Sequence, residues 1–239
     1  MIILHGSMPM FGVPEYSPFV TKTEVQLKMM GVPYQKVTAM PDDSPKGQVP
    51  FIDDDGTRIA DSYFIREHLE KKYGKDLDAG LGKRERAEAW AIERMLENHF
   101  CGAVAHARWL IDENYRKGPA HFLDGVPEEA REEAIEGLQN EVRQGLRAIG
   151  IARHTDEEVV ALGARSLDAL EVLLGDKPYL FGDKPVGVDA IAFALLSGIL
   201  SPFFDSPLRR CTEGYPTLVA YAARMMRQFY PEFPWEAPR

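Results

Sequence analysis

The hydrophobic period changes once along the chain, and that change limits the fold more than any other feature. Up to about residue 75, short strand-like and helix-like pieces alternate. From about Leu81 onward the apolar residues recur only at helical spacing. The first part reads β-α-β, loop, β-β-α. Met1–His5 is an apolar, β-rich run, followed by a Gly/Pro-rich loop with Gly6, Pro9, Gly12 and Pro14. Ser17-Pro18 opens a helix reaching about Met30, with Gly31 at the C′ position. Tyr34–Met40 predicts a second strand, Pro41–Gly47 a polar loop and Val49–Asp53 a third strand. Asp55-Gly56 is a hairpin signal before strand Arg58–Ala60. Ser62 then caps a helix through about Lys72, ended by Gly74.

The second part is all helix. In Lys83–Asn114, Ala89, Ile92, Leu96, His99, Ala103, His106 and Leu110 mark one face. Ile135, Leu138, Val142, Leu146 and Ile149 do the same for Pro127–Gly150. Thr155 and Glu158 form a capping box for a helix closed by Gly175. Val188–Ile199 is apolar nearly all round, as a buried central helix is. Leu218, Ala222, Met225 and Phe229 give the last helix its face. Two domains follow, residues 1–76 and 83–239.

Composition narrows the partners. The 239 residues carry 28 Lys plus Arg and 37 Asp plus Glu, a net charge of −9. That balance repels a phosphate backbone, and no basic block of five or more residues offsets it, so no nucleic acid is expected. The two cysteines, Cys101 and Cys211, make no disulfide framework and fit buried, inert thiols in a reducing compartment. The start, Met1-Ile2-Ile3-Leu4-His5, has no basic leader. The most apolar stretch, 191–204, is interrupted by Pro202 and falls short of the roughly 20 residues of a membrane span. A cytoplasmic protein without a transmembrane segment is expected.

Five segments carry a resemblance. They are Ser17-Pro18-Phe19-Val20-Thr21-Lys22-Thr23-Glu24, Lys46-Gly47-Gln48-Val49-Pro50-Phe51-Ile52, Ile59-Ala60-Asp61-Ser62, Tyr179-Leu180-Phe181-Gly182-Asp183-Lys184-Pro185 and Pro202-Phe203-Phe204-Asp205-Ser206-Pro207-Leu208. In order and spacing the whole chain resembles glutathione transferases, a thioredoxin-like α/β domain followed by an all-α domain. Within that superfamily it is most similar to the bacterial branch related to failed-axon-connections proteins and metaxins. The Phe11-Gly12-Val13-Pro14 loop also looks like that branch.

The resemblance implies glutathione as cosubstrate, no metal, and a homodimer. It makes Ser17 the group that donates to the glutathione thiolate, at a helix N-terminus carrying about half a positive charge. Tyr16 is the neighbouring hydroxyl and fallback. Without the resemblance, Ser17 is an ordinary N-cap worth about 1 kcal/mol. The resemblance also makes the Val49–Pro50 bond cis, freeing the Val49 backbone to pair with the cysteinyl unit like an added strand; taken alone, an X-Pro bond is by default trans. Asp61 and Ser62 would take the ammonium and carboxylate of the γ-glutamyl end, although capping alone explains a Ser at a helix start. Lys46 or Gln48 would reach the glycyl carboxylate. At Ser17-Pro18-Phe19-Val20, thiol-disulfide oxidoreductases carry two cysteines; both are absent, which removes disulfide exchange.

His99 and His106 lie seven apart, not at the four-residue spacing of helical metal ligands. The plain reading is two interdomain polar contacts. The functional reading sets both histidines, with Arg108 and Trp109 and the neighbouring Tyr16, beside an electrophile pocket whose partly polar wall suggests a polar or acidic second substrate. Asp189 falls where the family has a capping box, but Val186 replaces the usual hydroxyl partner, so the reciprocal bond is lost. Two functions compete: conjugation of glutathione to a small-molecule electrophile, and a non-catalytic binding or scaffolding role of the metaxin type. The long Gly6–Tyr16 loop, placed to cover the thiol site, favours the second.

Overall fold

The computed structural model describes residues 1–235. Strand β1 (Ile2–Gly6), helix α1 (Pro18–Met30), β2 (Tyr34–Thr38), β3 (Phe51–Asp54), β4 (Thr57–Ala60) and α2 (Ser62–Tyr73) form the α/β part. The four-stranded sheet has the order β2-β1-β3-β4. β1 runs parallel to β2 with Ile2 opposite Tyr34, and antiparallel to β3 with Leu4 opposite Ile52. β3 and β4 are antiparallel, with Phe51 opposite Ala60. Ile2, Leu4, Ile52, Val20, Leu27, Ile65 and Leu69 are buried together between the sheet and its two helices. Gly31 and Gly74 end α1 and α2 at φ 65° and 62°, the left-handed region where a missing Cβ removes the steric cost.

The helical part comprises α3 (Lys83–Met95), α4 (Cys101–Trp109), α5 (Asp112–Lys117), α6 (Glu128–Ala148), α7 (Asp156–Leu174), α8 (Asp189–Leu200), α9 (Pro207–Glu213) and α10 (Pro216–Phe229). A π-helical turn, Leu96–Phe100, joins α3 to α4. The single helix expected over 83–114 is therefore three segments, and α9 had no counterpart in the sequence reading. The Thr155–Glu158 capping box is present, with bonds of 3.0 and 3.3 Å. Helix α8 is apolar on every side and all but one of its residues are buried. Asp189, fully buried at its start, accepts from the Val186 and Leu180 N–H groups at 2.8 and 3.0 Å and from the Tyr221 hydroxyl at 2.8 Å. The Asp189 N–H, which a hydroxyl at position 186 would otherwise accept, donates instead to the Val186 carbonyl at 3.0 Å.

Lys22, fully buried on α1, joins the two parts by donating to Glu93 and Glu97, each at 2.6 Å. Burial raises the Glu93 carboxyl, but the Lys22 charge and hydrogen bond, with the nearby Arg66 and Arg94 charges, together hold it below its ordinary value. Among the described residues, no helix is long and apolar enough to cross a membrane.

Candidate functional site

Two cavities lie side by side between the α/β and helical parts and share only Phe19. The first, of about 460 Å³, is lined by Lys46, Gln48, Val49, Pro50, Asp61, Ser62, Tyr63 and Phe64 from the α/β part. Trp90, Arg94, Glu97 and Asn98 close its far side. The Val49–Pro50 peptide is cis. Asp61, not Ser62, is the N-cap of α2: its Oδ1 accepts from Tyr63 N–H at 2.9 Å. Asp61 holds φ at 83°, a conformation that the short polar side chain tolerates. Ser62 is consequently the first helical residue, 6% exposed, with an N–H that has no partner within the helix. Lys46 is an exposed loop residue, yet its Nζ lies 4.3 Å from the Phe64 ring centroid and turns toward the cavity.

The second cavity, of about 190 Å³, is lined by Glu15, Tyr16, Pro18, Cys101, Val104, Ala105, Arg108, Trp109, Ala194, Leu195 and Gly198. One wall is the loop before α1. Its Phe11 ring packs at 5.0–5.9 Å from the rings of Phe204, Phe203, Phe122 and Tyr16. The Ser201 hydroxyl donates to the Phe11 carbonyl, and Arg108 Nη1 donates to the Tyr16 carbonyl at 2.9 Å. Aromatic contact and two hydrogen bonds therefore clamp the loop against α4 and α8. It walls the second cavity and contributes no lining residue to the first.

Ser17 lines neither cavity. It is the N-cap of α1: its hydroxyl accepts from Val20 N–H at 3.4 Å, and its own N–H donates to Glu15 at 3.0 Å. Glu15 also accepts from the Ser7 N–H and hydroxyl and lies 3.6 Å from Lys36. Burial raises the Glu15 carboxyl above its ordinary value in spite of these partners. Burial, and then the Glu15 charge, likewise push the Tyr16 hydroxyl up, so it stays protonated at neutral pH.

The histidines lie elsewhere. His106 is buried, faces Asp156 at 3.5 Å, and borders a separate small crevice with Val159 and Leu208. His99 pairs with Ser166 on α7 at 3.0 Å. Both contacts fall inside the helical part, so neither is interdomain, and His106 is absent from the wall shared by Tyr16 and Trp109. The reason is helical phase. His99, Ala103, His106 and Leu110 form the stripe turned toward the helical core. Trp90, Arg94, Glu97, Cys101, Ala105 and Arg108 form a second stripe, offset around the helix, which runs past both cavities. That second period was visible in the sequence and is the signal for Trp90, Arg94, Glu97 and Asn98, which the motif reading missed. The cysteines are half-buried and unpaired rather than fully buried. Cys101 borders the second cavity with its thiol pushed up to about 11 by burial, and so is protonated. Among the described residues, no group of three or more His, Cys, Asp or Glu side chains is arranged to hold a metal.

A thioredoxin-like sheet followed by a helical domain, with a cleft between them, defines the transferase-type fold. Residues 18–114 match the model of the glutathione S-transferase N-terminal domain, and residues 163–225 that of the C-terminal domain. The chain is 33% identical to an isoprene-epoxide–glutathione S-transferase of Rhodococcus sp. strain AD45, over 96% of this chain and 99% of that one. It is 34% identical to Failed axon connections of Drosophila melanogaster over 92% of its own length, which spans 56% of that protein. Human metaxin-2 matches at 27% identity over 78% of this chain and 72% of that one. A β-etherase from a Sphingobium strain has the same fold, with TM-score 0.66 at 20% identity, covering 97% and 99% of the two chains. The chain belongs to the glutathione S-transferase family, in the branch that includes Failed axon connections and the metaxins.

Proposed function

We propose that this protein conjugates glutathione to a small electrophile, with the tripeptide in the first cavity and the electrophile in the second. One observation carries the reading: Lys46, Gln48, Val49, Pro50, Asp61 and Ser62, the residues the resemblance implies for glutathione, line a single cavity. Their groups match the tripeptide in kind. Asp61 meets an ammonium, the Ser62 hydroxyl and N–H meet a carboxylate, and the Val49 backbone meets an extended peptide. Lys46 or Gln48 meets the carboxylate at the glycyl end. The thiol then points toward the N-terminus of α1, where the helix dipole and the Ser17 hydroxyl favour the thiolate. Phe19, common to both cavities, borders the path from sulfur to electrophile. The full-length bacterial relative, whose name states transfer between glutathione and an epoxide, supports conjugation as the reaction class. Binding energy and orientation supply the catalysis, with one charge-assisted hydrogen bond adding about 1.5–3 kcal/mol.

The proposal includes a division into a glutathione-holding unit, residues 1–76, and a helical unit, residues 83–239. It also includes a homodimer, supported by the exposed aromatic side chains Tyr63, Phe64 and Trp90 at the rim of the first cavity. Light scattering tests the dimer. The reaction is tested by calorimetric titration with glutathione, then by conjugation of an aryl halide with wild type and Ser17→Ala. Binding together with a rate loss in the variant is expected. No binding at millimolar glutathione overturns the reading.

A second reading, a non-catalytic binding protein of the same fold, is favoured by one specific observation. The Ser17 hydroxyl caps its own helix and lines neither cavity. Glutathione binding without any conjugation selects that reading.

A further inference from the structure

Arg108 is the feature of the second cavity that packing does not explain. The walls contributed by Val104, Ala105, Ala194 and Leu195 are aliphatic, yet a guanidinium opens on the same space. Among the described residues, only Nη1 is engaged, by the Tyr16 carbonyl at 2.9 Å. A methyl group built at Gly198 would sit 3.5 Å from Nη2, which places that nitrogen against the α8 side of the cavity. Among the described residues, no carboxylate lies within 4.0 Å of the guanidinium. The rings of Phe204 and Phe11, at 5.4 and 5.8 Å, flank it instead. Burial without a counter-ion brings the guanidinium down to about 10, still protonated at neutral pH. An unpaired cation in an apolar pocket is costly unless it is used. The one carboxylate on the same wall, Glu15, is already occupied by Ser7, Ser17 and Lys36.

A pocket of this kind suits a ligand that is neutral when it enters and becomes negative at one oxygen as it reacts. A substrate already carrying a carboxylate fits it less well, because Glu15 shares the wall and the aliphatic surface solvates no anion. We propose that the second cavity takes small uncharged epoxides, and that Arg108 stabilises the oxygen released as the ring opens. This rests on the reading of the first cavity as the glutathione site. In the step, the thiolate sulfur forms a C–S bond to one epoxide carbon and that carbon's C–O bond breaks. The bonding pair passes to oxygen, where Arg108 donates to it. The alkoxide then takes a proton from water, balancing the one lost earlier by the thiol, and the product is a β-hydroxy thioether. Charge develops on oxygen only in the transition state, so the donor acts on the rate rather than on binding of the electrophile.

The test measures kcat and KM at saturating glutathione for 1,2-epoxybutane and 1-iodobutane, with wild type, Arg108→Met and Arg108→Lys. Iodide is a weakly basic leaving group that needs no such donor. Arg108→Met is expected to lower kcat for the epoxide by about 100-fold, the loss typical of removing one oxyanion donor. The iodoalkane rate should change by less than about 3-fold on the same grounds, and Arg108→Lys should recover part of the epoxide rate. Equal losses for both electrophiles would mean that Arg108 only holds the Tyr16 loop, and would overturn the proposal. So would an undiminished epoxide rate, or faster turnover of an electrophile bearing a carboxylate, such as 4-iodobutanoate, than of either neutral substrate. Calorimetry with glutathione alone separates the two levels. Absence of binding to wild type overturns the glutathione reading itself, whereas normal binding without epoxide selectivity overturns only the role of Arg108. Should Arg108→Met fail to fold, the wild type decides: its acceleration over the uncatalysed reaction should be at least about 10-fold larger for the epoxide than for the iodoalkane. Equal accelerations would contradict the proposal.

Discussion

The two cavities share Phe19 and differ in almost everything else. The first is built from turns and caps of the α/β part, closed by Trp90, Arg94, Glu97 and Asn98, and offers a carboxylate, a hydroxyl, an ammonium and the Val49 backbone within one cleft. The second is assembled from the loop before α1, from α4 and from α8, and offers aliphatic surface with a single guanidinium. Such a first site recognises a ligand by matching fixed charges. Such a second site discriminates by size and by the one place where charge is tolerated. On the proposed function, the difference separates a constant ligand from a variable one within one fold. Groups at loop and cap positions dominate the first site, while side chains on helix faces dominate the second.

The largest effect is expected beneath the second cavity. Asp189→Ala strands the Val186 and Leu180 N–H groups and the Tyr221 hydroxyl in a fully buried place. At about 1–3 kcal/mol per stranded group, a loss of about 4 kcal/mol is expected in urea unfolding at pH 5. A loss below about 1 kcal/mol would mean that α8 does not depend on this start.

The same carboxyl makes stability depend on pH. Burial pushes Asp189 up to about 6, against the hydrogen bonds that pull it down. Its native form therefore holds a proton more tightly than the unfolded chain does. The stability it contributes is complete below the unfolded value near 4 and is lost as pH rises through about 6. The stability advantage of wild type over Asp189→Asn should shrink by about 2 kcal/mol between pH 4 and pH 7. An advantage constant across that range would contradict the shift.

Next come the first-cavity groups. Asp61→Ala and Ser62→Ala should each weaken glutathione binding by about 10- to 100-fold, the worth of a charge-assisted hydrogen bond. Calorimetry reads this directly, and unchanged affinity in both variants would break the assignment of that cavity. The smallest effect is at Ser17. Ser17→Ala should cost about 1 kcal/mol of stability as a lost cap and about 10-fold in conjugation rate at neutral pH. A thermal scan and an aryl halide assay separate the two, and a cap loss with an unchanged rate would leave Tyr16 as the remaining hydroxyl.

How much was legible in the sequence follows the same division. Ser17-Pro18, Val49-Pro50 and Asp61-Ser62 are local signals, each readable within a few residues; the last two lead to the first cavity, while Ser17 lines neither cavity and Pro18 borders the second. The cap of α2 was placed one residue late, on Ser62, because Asp61 caps from φ 83°, a backbone state that no residue pattern announces. The second cavity joins Tyr16, Arg108 and Gly198, far apart in the chain, and only tertiary packing brings them together. His106 was drawn into it by its place on the same helix as Trp109. A small change of phase separates the stripe facing α7 from the stripe facing the cavities. The π-helical turn at Leu96–Phe100, which carries the helix from one cavity to the next, leaves no mark in the hydrophobic pattern.

The division of labour between the cavities is tested most directly by one set of calorimetric titrations of glutathione into wild type, Ser62→Ala and Arg108→Lys. Wild type should bind, Ser62→Ala should bind at least about 10-fold more weakly, and Arg108→Lys should stay within about 2-fold of wild type. Equal weakening by both variants, or no binding to wild type at millimolar glutathione, would contradict it.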